Sequence, residues 1–271
     1  MTRSSASAGL LAALALGACV ARASEPTGPR AIAHRGVVQE APENTWPAIA
    51  KAIELGCALA EIDLRYTADG EIVLIHDATV DRTTDGTGLV SGKTLAEIRT
   101  LDAGAWKAAE FRGTRVPLFR EVVEQSRGRI GLYLDLKEAD PAPVVRLVER
   151  LNAREMVFYR PYSYRALRQI LAEAPGSRVL VDLGDWAQAP GLAEMLRRDI
   201  PTAALSGDWA LWSTDAVAEA KRRGVLTFVN VLGASDTPEN LREAARIGFD
   251  YIQTDNPRAL VGILREGRAQ R

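Results

Sequence analysis

From residue 31 onward the chain alternates between short extended apolar runs and longer segments whose apolar positions recur at helical spacing. The runs at 31–34, 59–65, 72–76, 130–136, 156–160, 178–183, 202–206, 225–231 and 251–254 predict strands. The helical spacing predicts helices over 47–55, 94–100, 118–126, 141–152, 163–173, 189–198, 214–223 and 238–247. Near-regular alternation of this kind over about 250 residues predicts an α/β fold of the TIM-type (β/α)8 barrel, with its functional rim at the C-terminal ends of the strands. A doubly wound open sheet is the alternative.

Two intervals make the barrel irregular. Only Tyr66-Thr67-Ala68-Asp69-Gly70-Glu71 separates the second and third runs. A parallel crossover needs about a dozen residues, and Asp69-Gly70 instead signals a tight turn. One strand of the nine is therefore surplus to an eight-stranded barrel. The longest interval, Asp77 to Arg129, predicts a small insertion over about 78–117, after the third strand, with elements of its own.

The 271 residues are 47% hydrophobic and 25% charged, enough apolar material for one large core over 30–264, followed by a charged tail at 265–271. Arg3, the apolar run Ala8 to Ala18 and Ala21-Arg22-Ala23 predict an export signal over 1–23. The run is too short to cross a bilayer, which takes about 20 residues. Leu16-Gly17-Ala18-Cys19 also resembles a bacterial lipobox, in which Cys19 would carry a lipid anchor and 24–29 would form a tether. The expected location is therefore the periplasm, free or as a lipoprotein on the periplasmic side. Cleavage after Ala23 leaves Cys57 as the remaining cysteine and excludes an intramolecular disulfide. It also leaves 32 basic against 35 acidic residues, without the basic footprint of a nucleic-acid protein.

The chain has two histidines, His34 and His76, each ending an apolar run. An imidazole pKa of about 6.5 suits proton transfer in both directions near neutrality, so the pair suits a base and an acid. In Ala60-Glu61-Ile62-Asp63-Leu64, period-two geometry turns both carboxylates to one face. Two such acids inside a barrel repel and call for a cation or a shared proton. Asp135 and Lys137 repeat the pattern on a later strand, adding a third carboxylate and a cation. Oxygen-only ligands favour Mg2+ or Ca2+. A solvated edge strand is the structural alternative. Asn44 and Thr45 before Trp46-Pro47 read as a helix cap, whereas Glu43 has no such structural role. Asp77, Asp81 and Arg82-Thr83-Thr84 read as loop-ordering residues, and Cys57 as a small core residue.

The succession AHRG, ENT, EIDL, TADGEIVLIHD, DRTTDGTG, GLYLDLK and GFDYIQTDNP resembles the glycerophosphodiester phosphodiesterase family over residues 31–257. The resemblance implies a metal-dependent phosphodiesterase that acts on a small glycerophosphodiester. His34 and His76 match the family's acid/base pair, Arg35 and Lys137 its phosphate-binding residues, and Glu61 and Asp63 its metal ligands. Asp135 stands where the family more often has glutamate, with Glu138 as a substitute. Phe228 stands near the usual tryptophan as an apolar site wall, and Trp106 is a candidate for the alcohol pocket. A phospholipase D-like action on lysophospholipids or sphingolipids, and a non-catalytic phosphodiester-binding protein, are the rival readings.

Overall fold

The computed structural model describes residues 28–183 and 204–269. The predicted export signal, Cys19, tether residues 24–27 and the helix predicted over 189–198 lie outside the described residues, as do residues 202 and 203 of the run 202–206. The strands are β1 (Arg30–Ala33), β2 (Leu59–Tyr66), β3 (Ile72–Leu74), β4 (Gly131–Leu136), β5 (Val157–Arg160), β6 (Leu180–Asp182), β7 (Ala204–Asp208), β8 (Leu226–Val231) and β9 (Tyr251–Thr254). The helices are α1 (Trp46–Leu55), α2 (Leu95–Ile98), α3 (Phe119–Ser126), α4 (Ala142–Arg150), α5 (Tyr164–Glu173), α6 (Thr214–Arg222), α7 (Pro238–Ile247) and α8 (Pro257–Ala269).

Eight strands pair in parallel in the order β5-β4-β2-β1-β9-β8-β7-β6. The two ends of this sheet meet where the Tyr159 amide donates to Arg178 O at 2.9 Å, beside a parallel bridge from Tyr159 to Val179. The result is a nearly closed barrel, and the open-sheet alternative is excluded. The surplus strand is β3, which pairs antiparallel with β2 through a turn in which Gly70 has φ 79°. That left-handed conformation is free of strain only for glycine.

Period two divides each strand between two cores. The outward side chains of β2, Ala60, Ile62 and Leu64, pack with the helices in one large layer that also buries Cys57. Inside, each barrel strand contributes one residue to an apolar floor, among them Ile32, Leu59, Tyr133, Phe158, Phe228 and Tyr251. Phe228 is fully buried there, stacked on Tyr251 at 4.3 Å between centroids and edge-on to Phe158 at 5.0 Å. It is thus a floor residue and not the site wall expected from the sequence. Phe228→Ala is expected to cost about 3–5 kcal/mol of unfolding free energy, read by urea denaturation, as truncation of a buried aromatic does.

Residues 77–117 follow β3 and carry α2, two short 3-10 turns and a satellite core of Val80, Val90, Ile98, Ala103 and Val116 against Val73 and Ile75. Helix α8 runs to Ala269, so residues 265–269 are helix where a charged tail was expected. Asn256 Oδ1 accepts from the Ala259 amide at its start, and Arg265 reaches Leu55 O. Among the described residues no helix is long and apolar enough to cross a membrane.

Candidate active site

The site begins where β1 ends. The His34 amide donates to Thr254 O, and its ring Nδ1 lies 2.6 Å from Asp255 Oδ1. Asp255 is held below its usual pKa: burial opposes this, but the bonds from His34 and the Gly233 amide prevail. An ionised carboxylate only accepts, so Nδ1 carries the proton and Nε2 faces Glu61 Oε2 at 3.9 Å. Burial works against charging His34, but the Asp255 hydrogen bond and the Glu61 carboxylate raise its pKa above the ordinary value.

Arg35 has φ 54°, a conformation that costs a non-glycine residue energy and recurs at functional sites. Here it aims the Arg35 amide at Glu61 Oε2, 2.8 Å away. The next residue, Gly36, has φ 83°, and a Cβ there would lie 2.6 Å from the Ala48 Cβ. The Arg35 guanidinium donates to Glu43 Oε1 at 3.0 Å and lies 3.4 Å from Asp63 Oδ2.

Glu43 also accepts two bonds from Arg82, which in turn holds Asp77 at 2.7 Å, and Asp77 Oδ1 lies 2.8 Å from His76 Nδ1. One chain of charges therefore joins the two histidine loops. Asp77 and Arg82 serve this chain through their side chains, whereas Asp81 and Thr84 order the loop backbone through Gly88 and Gly86. Asn44 is not a helix cap. Its amide donates to Asp63 Oδ2 at 2.6 Å and accepts from the Asp63 backbone at 3.0 Å, in a left-handed conformation that asparagine tolerates. Thr45 occupies the cap position, but its hydroxyl turns back to Pro42 O.

Glu61, Asp63 and Asp135 are all buried, and a carboxylate oxygen from each lies within 4.8 Å of the others. The parallel register that sets Asp63 beside Asp135 creates this proximity. Burial and then the Asp63 charge push the Glu61 pKa up. Burial pushes Asp63 the same way, but Lys137 and Arg35 outweigh it and hold its pKa down. Asp63 Oδ1 accepts no well-formed hydrogen bond, although the Lys137 ammonium lies 3.0 Å from it. Three carboxylates, one with an orphaned buried oxygen, fit a hard divalent cation.

Lys137 Nζ also lies 2.6 Å from Asp135 Oδ2. Burial opposes its charge, yet Asp63 and Asp135 raise its pKa and keep it an ammonium. Two residues that the sequence reading passed over complete the grip on Asp135: Arg160 donates at 3.2 Å and the Tyr162 hydroxyl at 2.9 Å. Arg160 extends to Asp182. Glu138 is not the substitute ligand, because it accepts from Arg65, whose other nitrogens hold His76 O. Trp106 is 42% exposed on the insertion, and its indole N–H closes locally on Ala103 O.

Asp255 is the other omission. It belongs to the quoted TDNP stretch, and its position one residue beyond β9 was the available signal.

The model of the glycerophosphoryl diester phosphodiesterase family matches residues 34–259. The chain is 32% identical over 249 residues to a glycerophosphodiester phosphodiesterase from Caldanaerobacter subterraneus subsp. tengcongensis, spanning 87% of this chain and 98% of that protein. Among solved structures, a glycerophosphodiester phosphodiesterase from Agrobacterium tumefaciens str. C58 is similar with a TM-score of 0.76 at 35% identity, covering 86% of this chain and 99% of that one. A phosphodiesterase from Oleispira antarctica, solved with the product sn-glycerol-3-phosphate, has a TM-score of 0.78 at 26% identity, covering 88% and 97%. With the match extending from His34 through nearly all of the barrel, the chain belongs to the glycerophosphoryl diester phosphodiesterase family of enzymes.

Proposed function

We propose that the chain hydrolyses glycerophosphodiesters to sn-glycerol 3-phosphate and an alcohol, with Mg2+ or Ca2+ as its cofactor. One observation carries the reading. Two histidines, each with Nδ1 tied to a carboxylate, stand beside a buried three-carboxylate cluster that also holds Arg35 and Lys137. The product bound to the Oleispira neighbour supports the same substrate class.

Glu61, Asp63 and Asp135 would hold the cation, which when bound supplies Lewis-acid polarisation of a phosphoryl oxygen and lowers the pKa of a nearby hydroxyl. Arg35 and Lys137 offset the remaining negative charge on the phosphoryl oxygens. One histidine accepts the proton of the attacking glycerol hydroxyl while the other donates a proton to the departing alcohol; the cyclic phosphate so formed is opened by water, with the two histidines in reversed roles, to give sn-glycerol 3-phosphate. Asp255 and Asp77 keep Nδ1 of each ring occupied, so proton exchange falls to the Nε2 atoms.

The pH profile follows from the His34 environment. Asp255→Asn still offers Nδ1 an acceptor but removes the carboxylate charge that strengthens this bond and raises the His34 pKa, so that pKa falls. If His34 acts as the acid, activity is lost as pH rises through its pKa; if it acts as the base, activity is gained there. In both cases the limb of the kcat/KM profile belonging to His34 moves to lower pH. An unmoved limb in the folded variant contradicts the assignment.

A phospholipase D-like action on lysophospholipids or sphingolipids, in which the lipid stays on the phosphorylated product, is the second reading. Among the described residues the large exposed apolar side chains are Tyr162, Tyr164 and Leu211, which follow the C-terminal ends of β5 and β7, and Leu89 and Trp106, which lie on the insertion after β3. Incubation with a panel of glycerophosphodiesters and lysophospholipids, with the phosphorylated product identified, separates the two. Release of sn-glycerol 3-phosphate supports the first, and release of lysophosphatidate alone moves the assignment to the second. Export, with or without a lipid anchor at Cys19, is the location that the first 23 residues support, and fractionation of cells decides between the two forms.

A further inference from the structure

Tyr162 combines two properties that the other residues around the carboxylates do not share. Its hydroxyl is engaged inside the site, donating to Asp135 Oδ2 at 2.9 Å and accepting from Lys137 Nζ at 2.9 Å. Yet the residue is 40% exposed. The Arg160 guanidinium lies 4.5 Å from the ring centroid and Lys137 Nζ lies 5.4 Å from it, so the ring is fixed by charges on its inner side. Tyr164, two residues on at the start of α5, is half exposed.

Depth orders the site around this ring. Asp63 is almost fully buried, the Lys137 and Arg35 side chains are 11% and 19% exposed, and Tyr162 opens to solvent at 40%. A diester whose phosphoryl group rests on Lys137 and Arg35 places its constant glycerol part toward the buried carboxylates. Its variable alcohol then lies toward the open mouth of the site, which Tyr162 borders on one side and the His76 and Arg82 side chains, 34% and 44% exposed, border on the other.

We infer that Tyr162 is a specificity-determining residue whose exposed ring forms the wall against which the departing alcohol rests. The inference rests on the proposed reaction. An aromatic face attracts alkylated and quaternary ammonium groups more than hydroxylated ones. The preferred alcohol is therefore of the choline type rather than a polyol.

The test compares kcat/KM for glycerophosphocholine and glycerophosphoglycerol in the wild-type protein, Tyr162→Phe and Tyr162→Ala. The phenylalanine variant loses only the hydroxyl and its hold on Asp135 and Lys137. It is expected to slow both substrates by the same factor and keep the choline-to-glycerol ratio. The alanine variant also loses the ring and is expected to lower that ratio by about 5–10-fold, the scale of one partly exposed cation–aromatic contact. Tyr162→Leu, which restores bulk without a π face, repeats the comparison should the alanine variant fold poorly. An unchanged ratio in the folded alanine or leucine variant overturns the inference while the proposed reaction stands. A wild-type protein that hydrolyses neither diester overturns both.

Discussion

Replacing His34 or His76 by alanine is expected to lower turnover at least about 10²-fold, the scale on which positioned acid–base groups contribute. Neither histidine is part of a packed core. The side chains are 17% and 34% exposed, and their Nδ1 partners, Asp255 and Asp77, retain other donors in the Gly233 amide and Arg82. The folded state should therefore survive both substitutions, and circular dichroism with a denaturant midpoint checks it. The carboxylate cluster is untouched, so cation affinity should remain close to that of the wild type. The loss should fall on kcat, measured with saturating glycerophosphodiester and cation. Wild-type turnover in both folded variants contradicts the assignment of the pair.

Glu61→Gln is expected to act on activity and on stability in opposite directions. Loss of even an indirect partner of a metal site costs about 10–100-fold in affinity or activity, so loss of a ligand charge should cost at least about 10²-fold. Stability follows from the direction of the Glu61 pKa, which burial and Asp63 raise. The folded cation-free protein keeps the Glu61 proton over a pH range in which the unfolded chain has released it. Stability therefore falls as pH rises from the ordinary carboxylate range through the raised folded value. Glutamine carries no charge and removes that penalty. At neutral pH the chelated Gln variant is expected to melt above the chelated wild type, while added Mg2+ or Ca2+ stabilises the wild type and not the variant. A chelated variant that melts lower contradicts the account of Glu61 as a strained carboxylate.

Local pattern carried much of this architecture. The alternation in Ala60-Glu61-Ile62-Asp63-Leu64 places two carboxylates on one face wherever the strand lies, and Asp69-Gly70 reports the β2–β3 turn without tertiary information. The positions of both histidines at strand ends were likewise local facts. Closure of the barrel is not local. Asp255 meets His34 because β9 pairs with β1, across a sequence separation of 221 residues that no short pattern encodes.

Other discrepancies arose where one residue type serves two physical roles. Asn44 has the chemistry of a helix cap, and only the approach of β2 diverts its amide to both sides of Asp63. Phe228 and Asn230 both face the barrel interior, but period two does not say which height along the strand each occupies; that depends on the stagger of the sheet. Arg160 and Tyr162 lie at the end of the run 156–160 and just before the helix predicted over 163–173, where no local pattern marks a site residue. Ser163 caps α5, accepting from the Ala166 amide, while its neighbours complete the grip on Asp135. The α8 apolar stripe of Leu260, Val261 and Ile263 is short, so its charged last turns resembled a tail.

A cation-dependent phosphodiesterase is what this carboxylate cluster and histidine pair are proposed to make. The most direct test is the release of sn-glycerol 3-phosphate from glycerophosphocholine by the purified protein, first after chelation and then after adding back Mg2+ or Ca2+. Negligible release from the chelated protein and recovery with at least one of the two ions are expected. Full release in chelator, or none from folded protein after either ion is restored, contradicts this proposal.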